Sequence, residues 1–162
     1  MINRILADNI KKQLFQSKAI ILMGCRQIGK TTLLEKLFKN DEATLWLNGD
    51  DFDGRAMFDK PSADRLRSLI GNKKVIIIDE AQRITDIGVK LKLITDQIKD
   101  VQLIATGSSS FDLSNEINEP LTDHKREFQL YPLSFAEMVG HHGLLTEKSL
   151  LPHRLIYGYY PA

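Results

Sequence analysis

Cysteine is almost absent from this chain of 162 residues. Cys25 stands alone, so no intrachain disulfide can form, and a reducing compartment is the natural setting. Long apolar runs are missing as well. The longest lie near residues 19–23 and 75–78, far short of the roughly 20 residues that a bilayer span needs. The N-terminus lacks the extended apolar stretch of a secretory signal. A cytoplasmic protein without a membrane partner is expected. Neither sign of charge dominates: 22 Lys and Arg offset 21 Asp and Glu, which removes any global basic field for nucleic acid. There is no internal repeat and no low-complexity segment. The length suits one domain with a real core.

Against this plain background one segment stands out. Gly24-Cys25-Arg26-Gln27-Ile28-Gly29-Lys30-Thr31 matches G-x-x-x-x-G-K-[ST]. Two glycines let the backbone bend tightly and bring N–H groups close to an anion. Lys30 is placed to reach the β- and γ-phosphates of a nucleotide, and the Thr31 hydroxyl to join a Mg²⁺ shell. Ala19–Met23 reads as a buried strand running into this loop. Residues from Thr32 to Lys39 carry apolar side chains at helical spacing and leave it. A helix N-terminus then offers free N–H groups and its positive dipole end to the phosphates. Cys25, Arg26, Gln27, Ile28 and Thr32 complete the expected nucleotide cradle. A redox-sensing role for Cys25 is the sharper reading of that thiol; a small tolerated side chain is the plainer one.

The rest of the chain alternates strands and helices. Ile2, Leu6, Ile10 and Leu14 suggest a first helix reaching about Gln16. Thr44–Asn48 reads as a second strand, residues 49–60 as a polar loop, and the segment from Pro61 to Ile70 as a helix ended by Gly71-Asn72. Lys74–Ile78 is a third strand, apolar on both faces. Ile87, Leu91, Ile94 and Ile98 mark a helix stripe, residues 101–105 a fourth strand and residues 127–131 a fifth. Ser134-Phe135-Ala136-Glu137 is a capping-box pattern with Leu133 and Met138 set as a staple. The fold class expected is α/β: a three-layer sandwich around a central, mainly parallel five-stranded sheet.

The third strand ends in Asp79-Glu80. Ligands of such sheets bind beyond the carboxyl ends of the strands, so this pair is expected to face the phosphate loop. Asp79 is expected to hold Mg²⁺ through water, and Glu80 to orient and polarise an attacking water. Thr106, Ser108, Ser109 and Ser110 close the fourth strand. Ser108 is the best placed of them to sense a γ-phosphate, and the competing reading is a serine-rich turn that caps the next helix. Asp79-Glu80-Ala81-Gln82 also spells a helicase-like box, but such a helicase needs two domains of this size. Gln82 is expected to contact the nucleotide or the next helix. The four histidines, His124, His141, His142 and His153, read as ordinary surface or helix-end residues, with no acidic or cysteine partner at metal-ligand spacing.

With these residues placed, the chain resembles the bacterial and archaeal AAA-type P-loop ATPases, in particular the group with a C-terminal uncharacterised domain. The residues that carry the resemblance are 24–34, Val75–Gln82, Leu103–Ser110 and Leu130–Glu137. It implies a sheet in which the first strand lies between the fifth and the fourth. It implies ATP with Mg²⁺, Lys30 and Thr31 on phosphate and metal, Asp79 on metal, Glu80 as water activator and Ser108 at the polar sensor position. Relatives usually carry a Gly-Arg pair before the Pro-Leu-Ser-Phe segment. Here Asp123-His124 occupy those positions, and Lys125-Arg126 follow, with Arg126 the candidate substitute. Relatives also run on into a helical lid and further domains. The chain is therefore expected to be an ATPase core, with residues 132–162 the start of a lid region.

The reading adopted is ATP binding and hydrolysis that drives conformational change in further domains, in a homo-oligomer or in a protein partner. The rival is a nucleotide-binding switch with little turnover. A small-molecule kinase is a third reading, disfavoured because the acidic pair suits water better than an organic acceptor. The absence of a guanine-specific Asn-Lys-x-Asp segment tilts the base toward adenine.

Overall fold

Apolar runs that are buried on both faces become the middle strands of a parallel sheet, because helices must then cover each side. The computed structural model describes residues 2–39, 41–108 and 110–161. Strands β1 (Ala19–Met23), β2 (Thr44–Asn48), β3 (Val75–Asp79), β4 (Gln102–Gly107) and β5 (Lys125–Gln129) pair in the order β2-β3-β4-β1-β5. Every pairing is parallel. β1 thus lies between β5 and β4, as the resemblance implies.

Side chains alternate across the strands into two cores. Ile21, Ile76, Ile78 and Ala105 pack on one face with Leu66 and Ile70 of α4 (Ala63–Ile70), Leu91 and Ile94 of α5 (Ile87–Gln97), and Leu113 and Ile117 of α6 (Ser110–Asn118). Ile20, Leu22, Ile77 and Ile104 pack on the other with Ile10 of α1 (Ile5–Gln13) and Leu33, Leu34 and Phe38 of α2 (Lys30–Phe38). Each such isoleucine or leucine, once buried, contributes about 1.5–3 kcal/mol. This is the α/β three-layer sandwich expected. Beyond β5 the chain forms α7 (Phe135–His142) and α8 (Leu144–Tyr157).

Several boundaries move. α1 stops at Gln13 rather than near Gln16. α2 starts at Lys30, two residues earlier than the apolar spacing suggests, because Gly29 caps it in a left-handed conformation. Pro61 precedes α4 rather than opening it. Ser62 is the cap and accepts from the Arg65 amide at 3.2 Å. The polar stretch after β2 contains a short helix, α3 (Phe52–Met57). Its only buried residue is Gly54, so no apolar stripe announces it. Arg55 Nη1 anchors it instead, donating to the carbonyls of Gly49 and Asp50, each at 2.9 Å.

β5 begins two residues before the expected position. Lys125, Arg126 and Glu127 are part of it, and such charges are what an edge strand carries. Arg126 pairs in register with Ile20. It lines a cleft with Lys12 and Gln13 of α1, well before the carboxyl end of its strand. No candidate helix of the described residues is long and apolar enough to cross a membrane.

Candidate functional site

The phosphate loop connects β1 to α2 through two residues in left-handed backbone conformation. Gln27 has φ 59° and Gly29 φ 93°. Glycine takes this conformation without steric penalty, and the alternation turns successive N–H groups toward one concavity. Gly29 also has no side chain with which to cap α2, so the first-turn N–H groups of the helix stay available to an anion. Ile28 is buried in the core below, whereas Cys25, Arg26, Gln27, Thr31 and Thr32 are exposed around the loop.

Lys30 is buried, 5% exposed, and its ammonium donates to the carbonyls of Gly24 (2.9 Å) and Cys25 (3.0 Å). Burial lowers its pKa, and the nearby Glu80 and Asp79 carboxylates pull in the opposite direction. The charge is therefore held over the loop by loop carbonyls, within reach of the acidic strand end.

That strand end closes on the loop. Thr31 Oγ1 donates to Asp79 Oδ2 at 2.7 Å. β4 runs between β1 and β3, and its Thr106 donates across to Asp79 Oδ1 of β3. The Glu80 amide shares its proton between Asp79 Oδ1 and Thr106 Oγ1, each at 3.2 Å. Glu80 itself sits at φ 50°, a left-handed conformation that costs a non-glycine residue about 1–3 kcal/mol and concentrates at functional sites. Among the described residues no cluster of three His, Cys, Asp or Glu side chains forms a metal cage. A hydroxyl and one carboxylate, both hard oxygen donors, suit instead a Mg²⁺ that keeps waters and shares phosphate oxygens. Thr31 spends its proton on Asp79, which leaves its oxygen lone pairs for a cation.

Ser108 lies at the end of β4, tied to Glu80 through Gln82. The Gln82 side chain donates to Glu80 Oε2 (2.6 Å) and to Ser108 Oγ (2.9 Å). The spacing of Gln82 in the acidic box was visible in sequence; its role as the bridge was not. Ser109 and the side chain of Ser110 lie outside the described residues.

The C-terminal segment returns over the loop. The Leu133 amide donates to the Tyr159 carbonyl at 2.8 Å, and Pro161 packs beside Gly29. Tyr160 faces Cys25, an interaction that pushes its hydroxyl above the ordinary value. A cleft of about 250 Å³ opens there, lined by Ile2, Ile28, Leu33, Leu133 and Pro161, with Arg4 and Lys36 at its polar side. A larger cleft of about 410 Å³ lies at the opposite, amino ends of β1 and β4, beside Lys18, Gln102 and His124, away from all of this chemistry.

One histidine makes a contact that its position at a helix end does not announce. His142 has an acidic partner: its Nε2 donates to Glu147 Oε2 at 2.6 Å. Glu147 is fully buried, and Arg154 Nε approaches its other oxygen at 3.4 Å. The turn between α7 and α8 brings them together across five positions, a spacing that signals no ligand set.

A parallel sheet, a phosphate loop entering a helix and an acidic strand end bonded to that loop define a P-loop nucleotide-binding domain. Residues 16–139 match the model of the AAA_14 family, an AAA domain. The chain belongs to this family, an AAA-type ATPase core. Two curated relatives, the uncharacterized proteins Rv2008c of Mycobacterium tuberculosis and Mb2031c of Mycobacterium bovis, are each 30% identical over 133 residues, 82% of this chain. The match spans only 29% of the length of those relatives.

Among solved structures, the fold is similar to a Signal Transduction ATPase with Numerous Domains that carries a tetratricopeptide repeat sensor, from Pyrococcus horikoshii. That match has a TM-score of 0.59 and 17% identity, over 99% of this chain and 28% of the other. A Walker-type ATPase of Pyrococcus abyssi matches with a TM-score of 0.57 and 15% identity, over 86% of this chain and 56% of the other. The Aeropyrum pernix ORC1 protein, solved in complex with DNA, matches at 0.59 and 14%, over 92% and 50%.

Proposed function

We propose that this domain binds ATP with Mg²⁺ and hydrolyses it, driving conformational change in further domains or in a partner. The observation that carries the reading is the 2.7 Å bond from Thr31 to Asp79, which joins the helix behind the phosphate loop to the acidic end of β3. The amide hydrogens of Gly24–Thr32 receive the phosphates, and Lys30 leaves its loop carbonyls for the β- and γ-oxygens. Thr31 and Asp79 hold the cation, which when bound neutralises charge on the phosphate oxygens. Glu80 accepts a proton from the attacking water and aligns it, a contribution of about 10²–10⁴ in rate. Ser108 donates toward the γ-phosphate. The apolar cleft between Ile28, Leu133 and Pro161 takes the base. Residues 132–162, of which Leu133 and Pro161 line that cleft, act as the start of a lid.

Calorimetric titration with ATP and with GTP, each with Mg²⁺, tests binding and base choice. Lys30→Ala is expected to abolish ATP binding, and unchanged affinity would remove the reading. Glu80→Gln is expected to retain binding while multiple turnover falls at least 100-fold, about the lower end of the range for a lost general base. Tight ATP binding by the wild-type chain with no phosphate release would make it a nucleotide switch instead.

A further inference from the structure

The side chain of Gln82 makes an arrangement that neither its spacing nor the phosphate-loop chemistry requires. Its one nitrogen has two protons, and they go to different partners: Glu80 Oε2 at 2.6 Å and Ser108 Oγ at 2.9 Å. The other end of the amide, Oε1, is buried and has no hydrogen-bond partner among the described residues. Leaving a buried acceptor unsatisfied costs about 1–3 kcal/mol. An apolar side chain here would avoid that cost, so the amide is retained for what its nitrogen does.

The nitrogen sets polarity on both sides. Ser108 accepts from Gln82, so its own hydroxyl proton is directed elsewhere, and no acceptor among the described residues takes it. Ser108 is thereby made a donor. Glu80 has one oxygen occupied by Gln82, which leaves Oε1 without a hydrogen-bond partner among the described residues and orients it as an acceptor. A water attacking a γ-phosphate needs an acceptor for its proton, and the phosphate oxygens need a donor. One amide presents both, in a fixed relation, from a short turn (Ala81–Arg83) that directly follows the acidic pair.

We propose that Gln82 is a positioning residue for hydrolysis, locking Glu80 as acceptor and Ser108 as donor around the attacking water. This rests on the ATPase reading above. It assigns Gln82 no contact with nucleotide and no part in binding affinity.

The test is steady-state ATP hydrolysis and ATP titration by the wild-type chain, Gln82→Ala and Gln82→Glu. Gln82→Ala is expected to lower kcat by about 10-fold or more while KM, ATP affinity and melting temperature stay near wild type, the pattern of an interaction used only in the transition state. Gln82→Glu keeps the shape, and its carboxyl can donate to Glu80 only when protonated. Its kcat relative to wild type is therefore expected to rise as pH falls. The titratable groups around Lys30 at this corner are Asp79 at the end of β3, Glu80 directly after it, and Cys25 and Arg26 of the phosphate loop.

Wild-type kcat in Gln82→Ala would overturn the proposal. So would a parallel loss of ATP affinity and melting temperature, or a Gln82→Glu profile parallel to wild type. Failure of the wild-type chain to release phosphate, with ATP bound, would instead overturn the ATPase reading itself.

Discussion

Lys30 brings a positive charge into a site that is 5% exposed, and its chemistry follows from that burial. Desolvation lowers its pKa from the ordinary 10.5, and Glu80 and Asp79 only partly restore it. Phosphate beside the ammonium favours the charged form, so binding must draw a proton back onto Lys30 as pH approaches its lowered pKa. ATP affinity is expected to fall as pH rises through that lowered value, and proton uptake to accompany binding in the same window, below pH 10.5. Titration calorimetry in two buffers of different ionisation enthalpy reads both. Affinity independent of pH up to 10.5 would contradict the assignment of the charged lysine to the phosphates. Lys30, Thr31, Asp79 and Glu80 were legible in sequence because their neighbours along the chain impose the geometry. Gln82 and Ser108 were visible only as members of short motifs, since a hydrogen bond across 26 positions leaves no local trace.

Elements that carry their own local signal form where expected. Ser134 accepts from the Glu137 amide at 3.2 Å, and Glu137 Oε2 accepts from the Ser134 amide at 2.8 Å, so the capping box is complete. The other oxygen of Glu137 accepts from the Ile5 amide at 2.9 Å and faces Arg4 at 3.4 Å. One carboxylate thus caps α7 and ties it to the start of α1. Ser134→Ala is expected to cost about 1 kcal/mol. In a domain of this size that lowers the melting temperature by about 2–4 °C. Differential scanning calorimetry measures it, and an unchanged melting point would show the cap to be dispensable. α3 and the first half of β5 escaped the same kind of reading. α3 is held by one arginine and a close-packed glycine, and β5 is an edge strand whose charges mask its alternation.

The molecule as a whole is closed at one end by Glu147. Burial would raise its pKa, but the facing Tyr159, His142 and Arg154 outweigh it and hold the carboxyl below its ordinary 4.5. The Arg154 guanidinium also lies over the Tyr159 ring, 5.3 Å from its centroid. These contacts join α7, α8 and the segment that crosses the phosphate loop. A carboxylate with a depressed pKa contributes stability above its unfolded value and loses it as pH falls through the folded one. The window here lies below pH 4.5. The melting temperature of Glu147→Gln is expected to lie below wild type at neutral pH and to converge with it in that acid window. A gap that persists undiminished in acid would show that the charge on Glu147 does not matter.

Strand, loop and acidic strand end were determined along the chain, because glycine spacing, apolar runs and helix caps act between near neighbours and need no knowledge of the rest. The fold class follows from their alternation. The order of the strands was reached through resemblance, and only the assembled sheet shows why it matters. It places β4 between β1 and β3, so that Thr106 bridges to Asp79 while Thr31 meets it from the loop. The Gln82 bridge and the Glu147 cluster belong to the same class. Each depends on side chains brought together by packing, whose partners the chain order does not specify.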